Sequence, residues 1–261
     1  MKEFETLKVT LESGVLTIAL NRPDVHNAFN KTMLLELADC FENIDEENVL
    51  CVLLKGLGRS FCAGVDLNWM KSVSKNSYQV NYEESLLLSK CFLAIYQCPK
   101  PTIAMIHGVS LGGANGLLSA CDLAYAADDA TFSLSEVKIG IVPACISPYV
   151  IKRVGEYGAK ELMLTGRRIN GQEAEKFKLV NKSVPMDQLE ETVEAVVKLL
   201  RTSGPKAMSQ CKVLIDQVSN KLTLMEAYDY TAKMIADIRA SEEGQEGMNA
   251  FLEKRPPNWV K

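Results

Sequence analysis

Between Pro101 and Gly116 the chain reads PTIAMIHGVSLGGANG, an apolar strand-like run that enters a Gly-Gly turn and then a helix. The first N–H groups of a helix have no intrahelical acceptor, and the aligned peptide dipoles favour negative charge there. Gly112 and Gly113 carry no side chain to keep a ligand from those donors. Phe61 to Leu67, FCAGVDL, is a second segment of the same character: Ala63-Gly64 can turn the chain and Asp66 can cap a short helix. Either turn alone reads as an ordinary tight loop. Two together, each offering an N–H, are what an oxyanion hole for a thioester enolate requires. Glu136, in the apolar segment FSLSEVKIGIVPA, is the acid/base candidate, because desolvation raises a carboxyl pKa towards a useful value. Its alternative reading is a solvated carboxylate paired with Lys138.

The elements that must position these groups follow from periodicity. Leu7 to Glu12 and Val15 to Leu20 alternate around Ser13-Gly14 as a hairpin, and NRPDVHNAFN is a polar loop. Asn30 then caps a helix through Met33, Leu34, Leu37, Cys40 and Phe41. Val49 to Lys55 is a buried strand, and a long helix covers Gln79 to Tyr96 until Pro99-Lys100-Pro101 ends it. Next come a strand at Thr102 to His107, a helix at Gly112 to Ala120, and strands at Asp122 to Ala127 and Thr131 to Ser133. Alternating strands and helices predict an α/β fold. The glycines at 108, 112, 113 and 116 do not match GxGxxG, so a dinucleotide fold fits poorly. From Pro185 onward the pattern is helical only. Leu224, Ala227, Tyr228, Thr231, Met234, Ile235 and Ile238 form one apolar stripe, buried on its own core or on another subunit.

Composition excludes several classes. With 33 acidic and 29 basic residues in 261, the net charge of -4 supplies no basic footprint for nucleic acid. Cysteines 40, 51, 62, 91, 98, 121, 145 and 211 lie in apolar patterns without CxxC pairs or zinc spacing. They read as small hydrophobes in a reducing, cytoplasmic setting, with no metal site. Cys62 and Cys145, inside the motif segments, are the candidates for a catalytic thiol. Met1 to Glu12 lacks the apolar run of a secretory leader. Pro101 to Cys121 carries no formal charge, but its glycines, Asn115, His107 and hydroxyls predict a buried strand, turn and helix instead of a membrane span.

AGVDL, GVSLGGANG and FSLSEVKIGIVPA resemble the enoyl-CoA hydratase/isomerase (crotonase) family, and the resemblance runs from LNRPDVHNAFN to FLEKRPPNW. It implies a spiral of ββα units holding an acyl-CoA site over residues 1–184, and a helical trimerisation domain over 185–261. It also implies a homotrimer or homohexamer, with no cofactor beyond the coenzyme A of the substrate.

Position by position, the resemblance puts the two oxyanion donors at the N–H groups of Val65 and Gly113, and makes Glu136 the second of the family's two catalytic glutamates. Gly116 stands where the first would be, so a single-carboxylate reaction is expected. Gly116 would leave room for a substrate that carries its own carboxylate, and Asn115 points elsewhere on the helix. DLNWMK and LSEVKIGIVPACISPYV are similar to bacterial 3-methylglutaconyl-CoA hydratases of leucine breakdown. Dehydratases of polyketide β-branching, which use acyl-carrier protein, share some of these features. An enoyl-CoA isomerase and a non-catalytic acyl-CoA-binding protein are the other readings. Substrate contacts implied by the family are Val25, Asn27 and Ala28, then Ala63, Asp66 and Leu67, with Gly112 beside the hole. Lys254 is either a phosphate ligand, reaching across a subunit boundary, or a solvated terminal lysine. His26 and His107 read as structural.

Overall fold

The computed structural model describes residues 3–73 and 75–260. Strands β1 (Leu7–Glu12) and β2 (Val15–Leu20) pair antiparallel, Leu7 opposite Leu20 and Glu12 opposite Val15. Ser13 and Gly14 join them with φ of 49° and 81°, the left-handed pair whose twist suits a two-residue hairpin. Helix α1 (Lys31–Glu42) begins where predicted: the Asn30 side chain accepts from the Met33 N–H at 3.0 Å. Strand β3 (Cys51–Gly56) runs parallel to β2. Helix α2 (Leu67–Val73) and the long α3 (Tyr78–Gln97) follow, α3 packing on α1.

Strand β4 (Thr102–Ile106) is buried along its whole length, as an apolar run inside a covered parallel sheet must be. Three residues later comes β5 (Val109–Leu111), which the sequence pattern did not announce. A strand this short shows no alternation against the flanking glycines. Helix α4 (Ala114–Ala120), β6 (Leu123–Ala127) and β7 (Thr131–Ser133) complete the motif region. After a 3-10 turn at Glu136–Ile139 come α5 (Ser147–Thr165), interrupted at Gly155, then β8 (Ile169–Asn170), α6 (Gly171–Lys176) and β9 (Lys182–Val184). The main sheet has the order β1-β2-β3-β4-β6-β9, and a small sheet has the order β5-β7-β8. Pro101 to Cys121 is thus strand, strand and helix, and no described helix is long and apolar enough to cross a membrane.

Helix α7 (Leu189–Arg201) packs Leu189, Val193 and Val197 into the core beneath β4 and β6, so the helices that stand apart from the sheet begin one element after residue 185. These are α8 (Pro205–Asn220), α9 (Leu224–Ala240) and α10 (Glu242–Leu252), which pack chiefly on one another. Lys212 of α8 ties them back, donating to Asp122 Oδ2 at 2.6 Å and to the Lys100 carbonyl at 3.1 Å. The stripe on α9 is not buried on its own core: Ala227 is covered, whereas Leu224 and Tyr228 are 91% and 79% exposed. Three helices that mainly meet each other cannot cover every apolar face they carry.

Candidate active site

The two glycine-bearing turns are brought together by short ladders. Cys62 donates its N–H to the Val109 carbonyl at 3.0 Å and accepts from Leu111 N–H at 3.2 Å, which lays FCAGV alongside β5. On the other side Phe29 N–H donates to Gly64 O at 2.8 Å, and Asp66 N–H donates to Phe29 O at 2.9 Å. Successive residues of an extended segment point their backbone groups in opposite directions. Because Gly64 and Asp66 face Phe29, the Val65 N–H faces away from it and donates to no described protein acceptor. Gly113 is the N-cap of α4, and its N–H likewise has no described acceptor. The turns are close: a Cβ on Gly64, where φ is 90°, would lie 3.9 Å from Gly113 N and 2.6 Å from the Leu111 carbonyl oxygen. Only glycine fits there.

Glu136 opens the 3-10 turn that follows β7, and its Oε1 lies 3.3 Å from where a Cβ on Gly112 would be. The carboxyl group therefore lies over the residue next to the second donor. Gly112 N–H donates to Ser133 O at 2.8 Å, which ties the donor turn to the strand that leads to Glu136. Burial raises the Glu136 pKa, and Oε2 is buried without a hydrogen-bond partner. With Oε2 buried and without a partner, Glu136 is not the solvated carboxylate of a pair with Lys138. Two unspent N–H groups beside a partly desolvated carboxyl with one free oxygen can hold an anionic oxygen while a proton moves nearby.

Gly116 corrects the expectation of room. A Cβ there would collide with Ile146 Cγ2 and lie 2.8 Å from Phe92 Cζ, both side chains of the buried core. The space in that direction is filled with hydrocarbon, which leaves no open room beside Gly116 for a carboxylate. Asn115 is also spent on the fold: its Nδ2 donates to Gly112 O at 3.0 Å and Ser133 O at 2.9 Å, bracing the donor turn.

The two expected substrate-contact segments do meet. Ala63 N–H donates to His26 O at 2.9 Å, which sets Val25, Asn27 and Ala28 beside Ala63, Asp66 and Leu67. Asn27 is fully buried: its side chain donates to Leu57 O and Ser60 O, both at 2.8 Å, and its N–H donates to Arg22 O at 2.9 Å, so these groups brace the loop. Asp66 caps α2 as predicted, accepting from Asn68 N–H at 2.8 Å. It also pairs with Arg22, Nη2 to Oδ2 2.9 Å. Burial acts to raise the Asp66 carboxyl; the Arg22 guanidinium and the α2 N–H groups outweigh it and hold the pKa below its ordinary value. Sequence reasoning missed Arg22, since a lone arginine in a polar loop does not reveal its partner. His26 Nδ1 lies 3.0 Å from Ser60 Oγ, and His107 Nε2 lies 3.0 Å from Gly58 O, both structural placements.

Lys254 stands exposed after α10, and none of its hydrogen bonds or ion pairs reaches either segment. Cys62 is fully buried and its thiol is pushed up to about 12, which leaves no thiolate for catalysis at neutral pH. Cys145 donates to Ser85 O at 3.7 Å and touches no base. No described group of three His, Cys, Asp or Glu can hold a metal ion. A cavity of about 750 Å³ lies elsewhere, between α8, α9 and α10, with Lys206, Tyr230, Lys233 and Trp259 among its walls and no motif residue.

Known proteins share this fold and much of this sequence. The sequence model of the family described as enoyl-CoA hydratase/isomerase matches residues 10–261. The crystal structure of an enoyl-CoA hydratase from Shewanella pealeana superposes with a TM-score of 0.93 at 36% identity, covering 98% of this chain and 97% of that one. Pseudomonas aeruginosa AtuE superposes with a TM-score of 0.95 at 33% identity, covering 98% of this chain and 100% of that one. The peroxisomal Delta(3,5)-Delta(2,4)-dienoyl-CoA isomerase of Arabidopsis thaliana is 31% identical over 100% of this chain and 98% of its own. With its donor turns and carboxyl group set in this fold, the chain belongs to the enoyl-CoA hydratase/isomerase family of enzymes.

Proposed function

We propose that the protein adds water to a branched enoyl-CoA, 3-methylglutaconyl-CoA, to form 3-hydroxy-3-methylglutaryl-CoA. The observation that carries a one-carboxylate reaction is the half-buried Glu136, whose Oε2 has no hydrogen-bond partner, beside two free N–H donors, with the position of a second acid filled by Phe92 and Ile146. The thioester oxygen accepts from Val65 N–H and Gly113 N–H. Glu136 takes a proton from water as the oxygen adds to Cβ, the enolate charge rests on the two donors, and Glu136 returns the proton to Cα. Burial favours the protonated carboxyl that forms midway. The reaction needs no cofactor besides the coenzyme A of the substrate.

Isomerisation is the second reading. One carboxyl that takes and returns a proton suffices for it, and the Arabidopsis relative is named an isomerase. Purified protein is tested with 3-methylglutaconyl-CoA, crotonyl-CoA and a 3-enoyl-CoA, following absorbance of the conjugated thioester. Loss of that absorbance marks hydration, and gain from the 3-enoyl isomer marks isomerisation. Coenzyme A binding without either change would leave a non-catalytic protein and defeat both readings. A trimer or hexamer would cover Leu224, Tyr228 and Phe251, and the eight free cysteines suit a cytoplasmic location.

A further inference from the structure

We propose that Phe29 is a positioning residue that sets the spacing of the two oxyanion donors; this rests on the reading of Val65 and Gly113 as those donors. Phe29 touches both halves of the hole, one through its backbone and the other through its ring. Its backbone clamps the chain on either side of Val65, accepting from Asp66 N–H at 2.9 Å and donating to Gly64 O at 2.8 Å. Its ring lies under the other donor: a Cβ on Gly113 would be 2.7 Å from Phe29 Cζ and 3.2 Å from Cε1. The ring is fully buried, so neither contact is diluted by solvent.

The ring is held in turn from outside. Trp69 of α2 meets it edge-on, with centroids 6.5 Å apart and planes at 68°. The Trp69 Nε1–H donates to Glu84 Oε2 of α3 at 3.1 Å, which anchors the indole to a second helix. A preorganised hole works because its donors need not move as charge develops, and a misplacement of about 1 Å costs on the order of a hundredfold in rate. Phe29 is thus a strut between the donor turns, with Trp69 and Glu84 as its outer support.

The test compares Phe29→Leu with Phe41→Leu, a control at another buried phenylalanine, on the last turn of α1. Each variant is assayed for kcat and KM, for thermal melting, and for the ultraviolet spectrum of bound acetoacetyl-CoA, whose enolate adds a band at longer wavelength than the adenine and thioester absorption of the keto form. Phe29→Leu is expected to lower kcat about tenfold or more, to change KM less than about threefold, and to weaken the enolate band. Phe41→Leu is expected to lower the melting temperature while leaving kcat and the band unchanged. If Phe29→Leu does not fold, Phe29→Met, with a longer flexible chain, carries the same expectation. A folded Phe29 variant with kcat within about twofold of wild type and a full enolate band would overturn the role of Phe29 and leave the hole intact. Equal losses in both variants, or a raised KM at unchanged kcat, would also overturn it. A wild-type protein with no enolate band and no turnover would instead overturn the assignment of the donors.

Discussion

Glu136 lies against the second donor turn with one oxygen over Gly112 and the other buried without a partner. Glu136→Gln should therefore lower turnover about a hundredfold or more while keeping coenzyme A affinity, as steady-state kinetics and calorimetry will measure. The same substitution has a stability consequence with a definite sign. A carboxyl whose pKa is raised by burial favours the fold below its unfolded pKa, and that advantage is lost as pH rises through the folded value. At neutral pH the buried carboxylate opposes folding, so Glu136→Gln should raise Tm there and leave it unchanged in acid. Each kcal/mol released is worth about 2–4 °C for a chain near this size. A variant with a lower Tm at pH 7 would contradict the desolvated site. Gly116 belongs to the same scale. With Ile146 and Phe92 against it, Gly116→Ala should cost about 1–3 kcal/mol by overpacking, and adding Ile146→Ala should recover part of the loss. Denaturant midpoints decide this. Equal stability of Gly116→Ala and wild type would show that the apolar wall yields.

Among the elements, the turn that starts α4 holds Gly113, the proposed second donor. Its position depends on Asn115, which bonds back to Gly112 and across to Ser133, and on the ladder between Cys62 and β5. Gly113→Pro removes the donor N–H and should lower kcat/KM by about 3 kcal/mol, near a hundredfold, with circular dichroism as the folding control. A folded variant with full activity would exclude Gly113 as a donor. The short β5 is what makes this arrangement possible, because it lets the turn after β4 pair with FCAGV while also joining β7, the strand that leads to Glu136.

For the whole molecule, the division of labour lies between a sheet core that includes α7 and three terminal helices that pack chiefly on each other. Those helices present Leu224, Met225, Tyr228, Phe251 and Leu252 to solvent in the single chain. An apolar surface of this kind is the usual sign of an interface between copies or with a partner. Light scattering at micromolar protein should give three or six times the 28.8 kDa of one chain. A mass of one chain would contradict the trimeric or hexameric assembly.

Local chemistry made much of this legible in the sequence. The Ser13-Gly14 hairpin, the Asn30 cap and the Thr131–Ser133 strand lie where turn residues, caps and alternation placed them, because each depends on neighbours within a few residues. The glycine turns and Glu136 were legible for the same reason, reinforced by the family resemblance. What the sequence could not contain was who fills the space around them. That Gly116 faces Phe92 and Ile146, that Arg22 pairs with Asp66, and that Phe29 lies under Gly113 are contacts between residues 24 to 84 positions apart. The α9 stripe shows the other side of this: its periodicity marked an apolar face, but only the packing of α8, α9 and α10 decided that this face stays uncovered within one chain. Propensity and capping act over one turn of chain, whereas burial is shared among elements that meet only once the fold has closed.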